Sequence, residues 1–514
     1  MRIEFVEKLD LSLPGELLAI PVLQDRVLNN PFVAELDRMF EGLLGRLAEE
    51  EKFKGKPAQS LAFNTLGKAG FRRVLLLGLG TEEKTSADTF RRAGGRVTDW
   101  LRKYGVREAT LFCQLTGKAG FSWCQATGAL IEGLILGLYR FDKYKSRENG
   151  EPPYKGPERV GIFTGDVGGK RLGKRNEFEE EARHALVVTE GVTAAREMVN
   201  EIPEVMTPEN LAKRAVELVS QVEGVTWRVL DEAAMAVEKM GGALAVGRGS
   251  ENRPRFIELV YQPSGMRKKD DLLVMVGKGV TFDSGGLNIK PAEHMATMKM
   301  DMSGAAAVIA AITVIARLRL PLKVAAVVAA VENMPSGRAY RPDDVVRAMD
   351  GTTIEVGNTD AEGRLTLADA LSWSSSRLKA TRIIDLATLT GSCVVGLGPY
   401  TAGAMANDKK WLSSVLSAAE ETGEKCCELP LDPDMAEDIK SEVADVKNTG
   451  ATRFGGVIIG ALFLEKFVQK IPWVHLDIAG PAWADKKRHY QPAGGTGFGV
   501  RLLVRLAEKL AAGG

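Results

Sequence analysis

The chain of 514 residues is longer than one ordinary domain, and a hydrophobic content of 45% allows more than one core, which favours two domains. Its 68 Lys and Arg residues are balanced by 67 Asp and Glu residues, so the net charge of +1 gives no overall reason to expect binding to nucleic acid or to a membrane. The five cysteines show no paired metal-ligand spacing and fit a reducing cytoplasm better than a disulfide framework.

The sequence shows no segment typical of membrane targeting. The first residues, MRIEFVEKLDLSL, carry charges throughout and lack the apolar centre of a signal peptide. No apolar run approaches the length of a membrane span. We therefore expect a cytoplasmic protein without a membrane partner.

The first half alternates between strand and helix patterns. Residues 72–80 (RRVLLLGLG) and 108–113 (EATLFC) are predicted strands, and residues 86–105 form a predicted amphipathic helix. This alternation implies a mostly parallel sheet. Charge, Pro and Gly accumulate between about residues 141 and 175, where we place a linker. A long helix is predicted next, over about residues 177–200.

The second half repeats the alternation with stronger signals. Strands are predicted over residues 271–279, 322–332, 381–390 and 473–480, and helices over residues 303–318 and 364–379. Both kinds of element are apolar nearly all round, as a central sheet covered by helices on both faces requires. The predicted fold class is α/β with two α/β domains. The N-terminal one, with the linker, occupies residues 1–175, and the C-terminal one, with a mostly parallel sheet, residues 176–514.

The conspicuous polar residues of the second half follow its predicted strands. They come in three segments: VGKGVTFDSGGLNIKP with Lys278, Asp283 and Lys290, MKMDMSG with Asp301, and NTDAEGRL with Asp360, Glu362 and Arg364. Ligand sites in open α/β sheets lie outside the carboxyl ends of the strands. The three segments could therefore meet in one crevice.

A crevice with so many carboxylates requires cations. Three aspartates and a glutamate cannot all stay ionised at close range, because each anion raises the pKa of the others. Lys278, Lys290 and Arg364 offset part of the charge, and one or two divalent metal ions would offset the rest. Oxygen-rich sites without Cys suit Mg²⁺, Mn²⁺ or Zn²⁺, and bridging carboxylates would give a paired-metal site. None of the four histidines lies in these segments, so a histidine-rich zinc site is not expected.

Each of these residues also has a structural interpretation. Asp360 and Glu362 could cap a helix or interact with its dipole, and Asp301 could be the N-cap of the helix that follows. Lys290 could be a solvated loop lysine. Lys278 is harder to explain in this way, because it lies between glycines directly after an apolar run.

The segments VGKGVTFDSGGLNIKP, MKMDMSGAAAV and NTDAEGRLTLADAL together resemble the leucyl aminopeptidase family of dinuclear metallopeptidases, also called cytosol aminopeptidases. NTDAEGRL is the signature of that family. The resemblance covers the whole second half, including WVHLDIAG near the end, and is weaker in the first half. It implies an enzyme whose catalytic domain is the C-terminal one.

The resemblance implies a ligand set for two divalent ions. The ligands would be Lys278, Asp283, Asp301, Asp360 and Glu362, with Asp283 and Glu362 bridging the ions. Asp301 and Lys278 would belong to the more exchangeable ion and Asp360 to the other. The implied ions are Zn²⁺ or Mn²⁺, with Mg²⁺ as an option at the exchangeable site.

The implied reaction is the release of single amino acids, leucine and similar residues preferred, from peptides with a free N-terminus. A hydroxide that bridges the ions would attack the scissile carbonyl. Lys290 and Arg364 match the two catalytic positions, where Lys290 would face the developing oxyanion and Arg364 would hold a bicarbonate that acts as general base. Met298 matches a position that lines the side-chain pocket, although a methionine there could equally pack in the core. A homohexamer is also implied.

Two other functions remain open from the sequence. Some bacterial members of the family also bind DNA through the N-terminal domain, and basic stretches such as FRRAGGR and GKRLGKR could form a patch, although acidic residues are interleaved. That role would accompany the peptidase activity. A dinuclear phosphoesterase would use similar metal chemistry but would not explain the three matched segments.

Overall fold

The structure is a computed structural model that describes residues 1–8, 15–112, 122–146, 154–165, 173–265 and 271–513. It divides into two compact units, which are Met1–Thr189 with Lys487–Pro492, and Glu190–Lys486 with Ala493–Gly514. One long helix includes the boundary between the units. Because such units need not coincide with folding domains, the division after residue 175 stays a prediction.

The first unit is built on a six-stranded sheet. Its strands are β1 (Arg2–Val6), β2 (Gly15–Val22), β3 (Ser60–Asn64), β4 (Phe71–Gly78), β5 (Glu108–Phe112) and β6 (Arg159–Phe163). Its helices are α1 (Pro31–Met39), α2 (Leu43–Glu50), α3 (Ala87–Tyr104), α4 (Trp123–Leu138) and the beginning of α5 (Arg175–Asn200), with a 3₁₀ turn at Glu82–Lys84. The strand order is β1-β6-β5-β2-β4-β3, and only the edge strand β3 is antiparallel to its neighbour.

Side chains that alternate along β2 are buried on both faces of this sheet. Leu17 and Ala19 belong to one buried cluster, which includes side chains of α3 and α4. Leu18 and Ile20 belong to a second cluster, which includes side chains of α1 and α2. This burial on both faces explains why the strands are nearly continuous apolar runs.

The predictions for the first unit succeed except in the linker. β4, α3, β5 and the long helix α5 are confirmed, while Cys113 at the end of the predicted strand lies outside the described residues. The linker prediction is wrong for residues 159–163, because this segment, RVGIF, is strand β6 and pairs with both β1 and β5. The charged and Pro/Gly-rich sequence around it concealed a short apolar strand. Residues 147–153 and 166–172 of the same predicted linker lie outside the described residues.

The second unit contains thirteen strands and ten further helices in the described ranges. Its strands are β7 (Val225–Leu230), β8 (Arg255–Tyr261), β9 (Leu272–Asp283), β10 (Lys323–Asn333), β11 (Val345–Arg347), β12 (Thr353–Glu355), β13 (Arg382–Ala387), β14 (Ala402–Ala406), β15 (Cys426–Glu428), β16 (Val446–Lys447), β17 (Trp473–Asp477), β18 (Trp483–Ala484) and β19 (Gly494–Gly495). Its helices are α6 (Pro208–Val219), α7 (Glu232–Val237), α8 (Gly241–Gly247), α9 (Ala292–Met295), α10 (Ser303–Arg317), α11 (Glu362–Ser376), α12 (Gly391–Leu397), α13 (Lys409–Thr422), α14 (Gly456–Glu465) and α15 (Val500–Ala511), with 3₁₀ turns at Met298–Met302 and Pro433–Ile439.

The main sheet of this unit has eight strands in the order β15-β14-β17-β13-β9-β10-β8-β7. The central strands β17, β13, β9 and β10 are parallel. β14 runs antiparallel to β17 and parallel to β15, and β8 runs antiparallel to both β10 and β7. The four predicted strands and two predicted helices of the second half are all present. The predicted α/β class is thus confirmed, with antiparallel edges that the sequence pattern did not indicate.

Helix α10 is buried along its whole length except at its last residue, Arg317. Together with the 3₁₀ turn before it, it forms a helical segment, Met298–Arg317, that is long and apolar enough to cross a membrane by length and composition. The expectation of no such run is therefore wrong by these criteria. Because 89% of its most apolar stretch is buried inside the protein, the segment is a core helix.

Candidate metal centre

Three buried carboxylates from separate segments meet at the carboxyl end of β9. Asp283 is the last residue of β9, Asp301 lies in the 3₁₀ turn before α10, and Glu362 is the first residue of α11. One oxygen from each of the three lies within 4.8 Å of the others, and all three residues are buried. The chain fold therefore brings the three predicted segments into one place.

Lys278 lies inside β9, as the strand predicted over residues 271–279 indicates, and the strand continues to Asp283. Its Nζ is 2.9 Å from Asp301 Oδ2 and 2.8 Å from Glu362 Oε1, and it donates a hydrogen bond of 3.0 Å to the backbone oxygen of Thr388. The residue is 3% exposed. A side chain on Gly363 would place its Cβ 2.7 Å from this Nζ, so the glycine of the signature makes room for the lysine.

Lys290 lies between two other carboxylates. Its Nζ is 2.8 Å from Asp283 Oδ2 and 2.5 Å from Asp360 Oδ1, and its side chain is 14% exposed. The loop before it turns through Gly285 and Gly286, which have φ values of +86° and +67°, a region that favours glycine. The interpretation of Lys290 as a solvated loop lysine is therefore wrong.

Asp360 and Arg364 differ in exposure and in partners. The Asp360 side chain is 33% exposed and is the most open of the five predicted ligands. Arg364 is buried on α11, where its Nη1 donates a hydrogen bond of 2.6 Å to the backbone oxygen of Asn448. No hydrogen-bond partner for its Nε is found in the part of the chain that the structure describes. Arg364 is thus held beside the centre without an ion pair to its carboxylates among the described residues.

Burial and neighbouring charges perturb the pKa values of Asp283, Asp301 and Lys278. Burial raises the pKa of Asp283 and Asp301, and the neighbouring Glu362 carboxylate raises both further. Burial lowers the pKa of Lys278, but the attraction of Asp301 and Glu362 outweighs it, so its pKa is raised overall. Without another cation, the site therefore favours bound protons.

Burial and neighbouring charges also shift the pKa values of Asp360, Lys290 and Arg364. Burial and the Asp283 carboxylate raise the pKa of Asp360. For Lys290, burial is outweighed by Asp283 and the other carboxylates, so its pKa is raised. Burial lowers the pKa of Arg364 to about 10, which still leaves the guanidinium charged at neutral pH.

The residues present fit divalent metal ions. Glu362 Oε2 is buried and has no hydrogen-bond partner among the described residues, and it lies in the cluster where the carboxylates converge. Carboxylate oxygens with a single amine nitrogen are a donor set suited to Mn²⁺, Mg²⁺ or Zn²⁺. A divalent cation would satisfy the orphaned oxygen and remove the repulsion that raises the carboxylate pKa values.

The alternative roles as helix caps do not describe these carboxylates. The N-cap of α10 is Met302, and the Asp301 Oδ1 instead accepts a hydrogen bond of 2.6 Å from Thr388 Oγ1. The N-cap of α11 is Ala361, and no side chain caps that helix. Only an interaction of Glu362 with the dipole of α11 remains compatible with the structure.

Sequence reasoning missed the polar residues that hold the cluster. Asn333 is the last residue of β10, and its Nδ2 donates a hydrogen bond of 2.8 Å to Asp283 Oδ1. Thr388 Oγ1 donates a hydrogen bond to Asp301 Oδ1. Asn448 holds the signature loop, where its Oδ1 accepts from Gly357 N at 2.7 Å. Asn333 had a visible signal, because it closes an apolar strand next to the Asp283 strand. Asn448 had none, since its partner is 91 positions away in the sequence.

A pocket of about 500 Å³ lies beside the loop that carries Lys290 and the 3₁₀ turn that carries Asp301. Its lining residues are Pro203, Phe282, Ala292, Met295, Ala296, Thr297 and Lys299. Met298, expected to line the substrate side-chain pocket, is half-buried in the 3₁₀ turn and does not line this pocket. Its role stays a prediction.

A buried group of carboxylates and lysines at the carboxyl ends of parallel central strands is the class of site that holds divalent ions in metal-dependent hydrolases. A family model described as the cytosol aminopeptidase family, catalytic domain, matches residues 193–504, and a second, described as the N-terminal domain of that family, matches residues 19–148. The chain belongs to the cytosol aminopeptidase family. It is accordingly an aminopeptidase, a metal-dependent hydrolase that acts on peptides.

Relatives and solved structures agree with this assignment over nearly the whole chain. A protein of Persephonella marina named "Probable cytosol aminopeptidase" is 43% identical over 482 residues, which is 94% of each chain. The structure of a tomato leucine aminopeptidase mutant has a TM-score of 0.88 at 36% identity and covers 99% of this chain and 96% of its own. The bottromycin maturation enzyme BotP in complex with Mn has a TM-score of 0.83 at 35% identity, with coverages of 97% and 100%. The predicted family and enzyme class are confirmed.

Proposed function

We propose that the protein releases N-terminal amino acids from peptides by means of two divalent metal ions held at this centre. The residues that would hold the ions are Lys278, Asp283, Asp301, Asp360 and Glu362, and Asp283 and Glu362 would serve both ions. The observation that carries the proposal is the convergence of oxygens from Asp283, Asp301 and Glu362 within 4.8 Å, with Lys278 in contact. Zn²⁺ or Mn²⁺ are the proposed ions, with Mg²⁺ as an option at the exchangeable site, and the Mn complex of BotP supports manganese.

The chain's own residues would divide the work of peptide hydrolysis. When bound, the ions would supply a water nucleophile at neutral pH, polarise the scissile carbonyl and take the free α-amino group of the substrate. Lys290, an ammonium group beside Asp283 and Asp360, would donate to the oxygen on which negative charge develops. Arg364, buried and charged, would hold a bicarbonate that accepts the proton of the attacking water. No histidine is needed in this scheme.

Several finer properties are part of the same proposal. The name of the tomato protein supports a preference for leucine and similar residues. We also propose a homohexamer, a cytoplasmic location and a catalytic domain that begins near residue 176. The hexamer and the location are proposed from the family resemblance and the domain boundary from the sequence pattern, and the contacts within one chain do not test them.

An added DNA-binding role has no supporting observation. In the basic stretch FRRAGGR, Arg91 is buried with its Nε 2.6 Å from Glu132 Oε2, and Arg96 donates 2.7 Å to the backbone oxygen of Gly78. Arg91 is therefore committed to the interior of the first unit, and the half-buried Arg96 is bound to the backbone of β4. The other stretch, GKRLGKR, begins outside the described residues.

The test is a panel of aminoacyl p-nitroanilides assayed with metal-stripped protein before and after addition of Zn²⁺, Mn²⁺ or Mg²⁺. We expect hydrolysis only after metal addition, with leucine and methionine derivatives fastest. The matched control is N-acetyl-leucine p-nitroanilide, which lacks only the free amine. Equal rates on the blocked and free substrates would contradict the proposal, and a gel shift with duplex DNA in the same preparation tests the alternative.

A further inference from the structure

We infer that Asn333 is a positioning residue that fixes the metal-facing geometry of Asp283 and ties it to the loop that carries Asp360. The inference rests on the proposed metal-binding function. It assigns a role to a residue outside the proposed ligand and catalytic set. Its basis is one buried amide group that joins two segments far apart in the sequence.

The Asn333 amide reaches both halves of the cluster. Its Nδ2 donates 2.8 Å to Asp283 Oδ1 and 3.0 Å to the backbone oxygen of Thr359, which directly precedes Asp360. The residue is fully buried. Both hydrogens of the amide are therefore used, one on the end of β9 and one on the signature loop.

The strand register is what brings Asn333 to Asp283. Val331 pairs with Val280, but Glu332 pairs with Phe282, so β9 contains one extra residue at this point. Without this irregularity, Asn333 would pair with Phe282 in place of Asp283. Bulges next to functional sites commonly redirect a side chain in this way.

The orientation of the amide is set by its surroundings. Turned the other way, its oxygen would face two acceptors, the Asp283 carboxylate and the Thr359 carbonyl, and no hydrogen bond would form. In the observed orientation, Asn333 Oδ1 is buried without a hydrogen-bond partner among the described residues. A buried oxygen without a hydrogen-bond partner destabilises the fold. The amide nevertheless keeps this orientation, in which it donates two hydrogen bonds.

These bonds give the two Asp283 oxygens different partners. Asp283 Oδ1 accepts from Asn333 and, at 2.9 Å, from the backbone N–H of Gly285. Asp283 Oδ2 is left to Lys290, at 2.8 Å. Removing the Asn333 donor would leave Asp283 Oδ1 with one hydrogen bond and allow the carboxylate to rotate away from its ligand geometry.

The proposed variants separate the donor from the space that it fills. Asn333→Ala removes the donor and leaves a cavity, whereas Asn333→Leu removes the donor and fills most of the volume. Tyr340→Phe is the matched control. The Tyr340 hydroxyl donates a hydrogen bond of 2.6 Å to the same Thr359 oxygen, and it makes no hydrogen bond to Asp283 among the described residues. All three variants lose a buried hydrogen bond to Thr359, but only the Asn333 variants free Asp283.

The experiment loads the full-length protein with Mn²⁺ and titrates it with a chelator, while kcat and KM for leucine p-nitroanilide are measured at saturating metal. We expect Asn333→Ala and Asn333→Leu to bind at least one Mn²⁺ about 10- to 100-fold more weakly, as is typical when a partner that orients a metal ligand is lost. Tyr340→Phe should retain wild-type affinity. KM at saturating metal should change little in all three variants.

Two results would overturn the inference. One is wild-type Mn²⁺ affinity in Asn333→Leu, and the other is an equal loss of affinity in Tyr340→Phe. Asp283→Asn distinguishes this failure from failure of the proposed function. If that variant retains Mn²⁺ like the wild type, the metal centre itself is wrongly assigned, whereas loss of Mn²⁺ in Asp283→Asn with no change in the Asn333 variants rejects only the positioning role.

Discussion

Lys278→Arg is the most discriminating change at the proposed metal centre. A lysine can bind a metal ion only as the neutral amine. At pH 7, the deprotonation of a lysine with an ordinary pKa of about 10.4 costs about 4.6 kcal/mol, because the pH lies about 3.4 units below that pKa. The Asp301 and Glu362 carboxylates at 2.9 and 2.8 Å raise the pKa of the metal-free lysine, so this cost is a lower bound. Arginine, with a pKa above about 12, cannot supply the neutral form and keeps a positive charge where the cation should bind.

We therefore expect Lys278→Arg to lose one ion selectively and to lose most activity. Each unit of pH below neutrality should also weaken the wild-type site about tenfold through this lysine alone, because one proton must leave for each ion bound. The assay is metal counting by atomic emission after gel filtration. Lys299→Arg is the matched control, a half-buried lysine two residues from Asp301 that the proposal leaves out of the ligand set. Two tightly held ions per chain in Lys278→Arg would refute the reasoning.

Three further changes test separate parts of the account. Glu362→Gln should abolish peptidase activity with the fold intact, because it removes a ligand charge, and near-normal turnover with two ions bound would count against the ligand assignment. Lys290→Ala should lower kcat about 10²- to 10³-fold with little loss of metal, whereas metal loss at unchanged turnover per bound ion would exclude an oxyanion role. Burial, together with Arg92 and Arg488, lowers the pKa of His489 from 6.5 to about 4, so its contribution to stability is present above pH 6.5 and lost as the pH falls towards 4. The thermal midpoint of His489→Gln should accordingly fall less than that of the wild type over this range, and parallel curves would contradict the assignment.

The strongest sequence signals were the all-round apolar elements of the second unit. β9, α10 and β10 were predictable because both faces of a covered parallel sheet demand apolar residues at nearly every position. β6 was not, because the four uncharged residues of RVGIF, set between charged segments, carry too little pattern to show that they lie inside a sheet. Short strands whose position depends on distant pairing are determined by tertiary contacts more than by local sequence.

The candidate site also has features that the sequence could predict and features that it could not. The three segments with Asp283, Asp301 and Glu362 could be expected to meet, because each lies next to a predicted strand or helix and ligand sites of open α/β sheets lie outside the carboxyl ends of the strands. The extra residue that pairs Asn333 with Asp283 could not, since it depends on the register between strands. Register is fixed by packing in three dimensions, to which the single sequence gives no direct access.

The proposed paired-metal centre is tested most directly by anomalous scattering from crystals of the full-length protein loaded with Mn²⁺. The account predicts two manganese peaks per chain, with Asp283 and Glu362 between them and Lys278 Nζ bound to one. A single peak, or manganese located away from these carboxylates, would contradict the two-metal centre on which the proposed reaction depends.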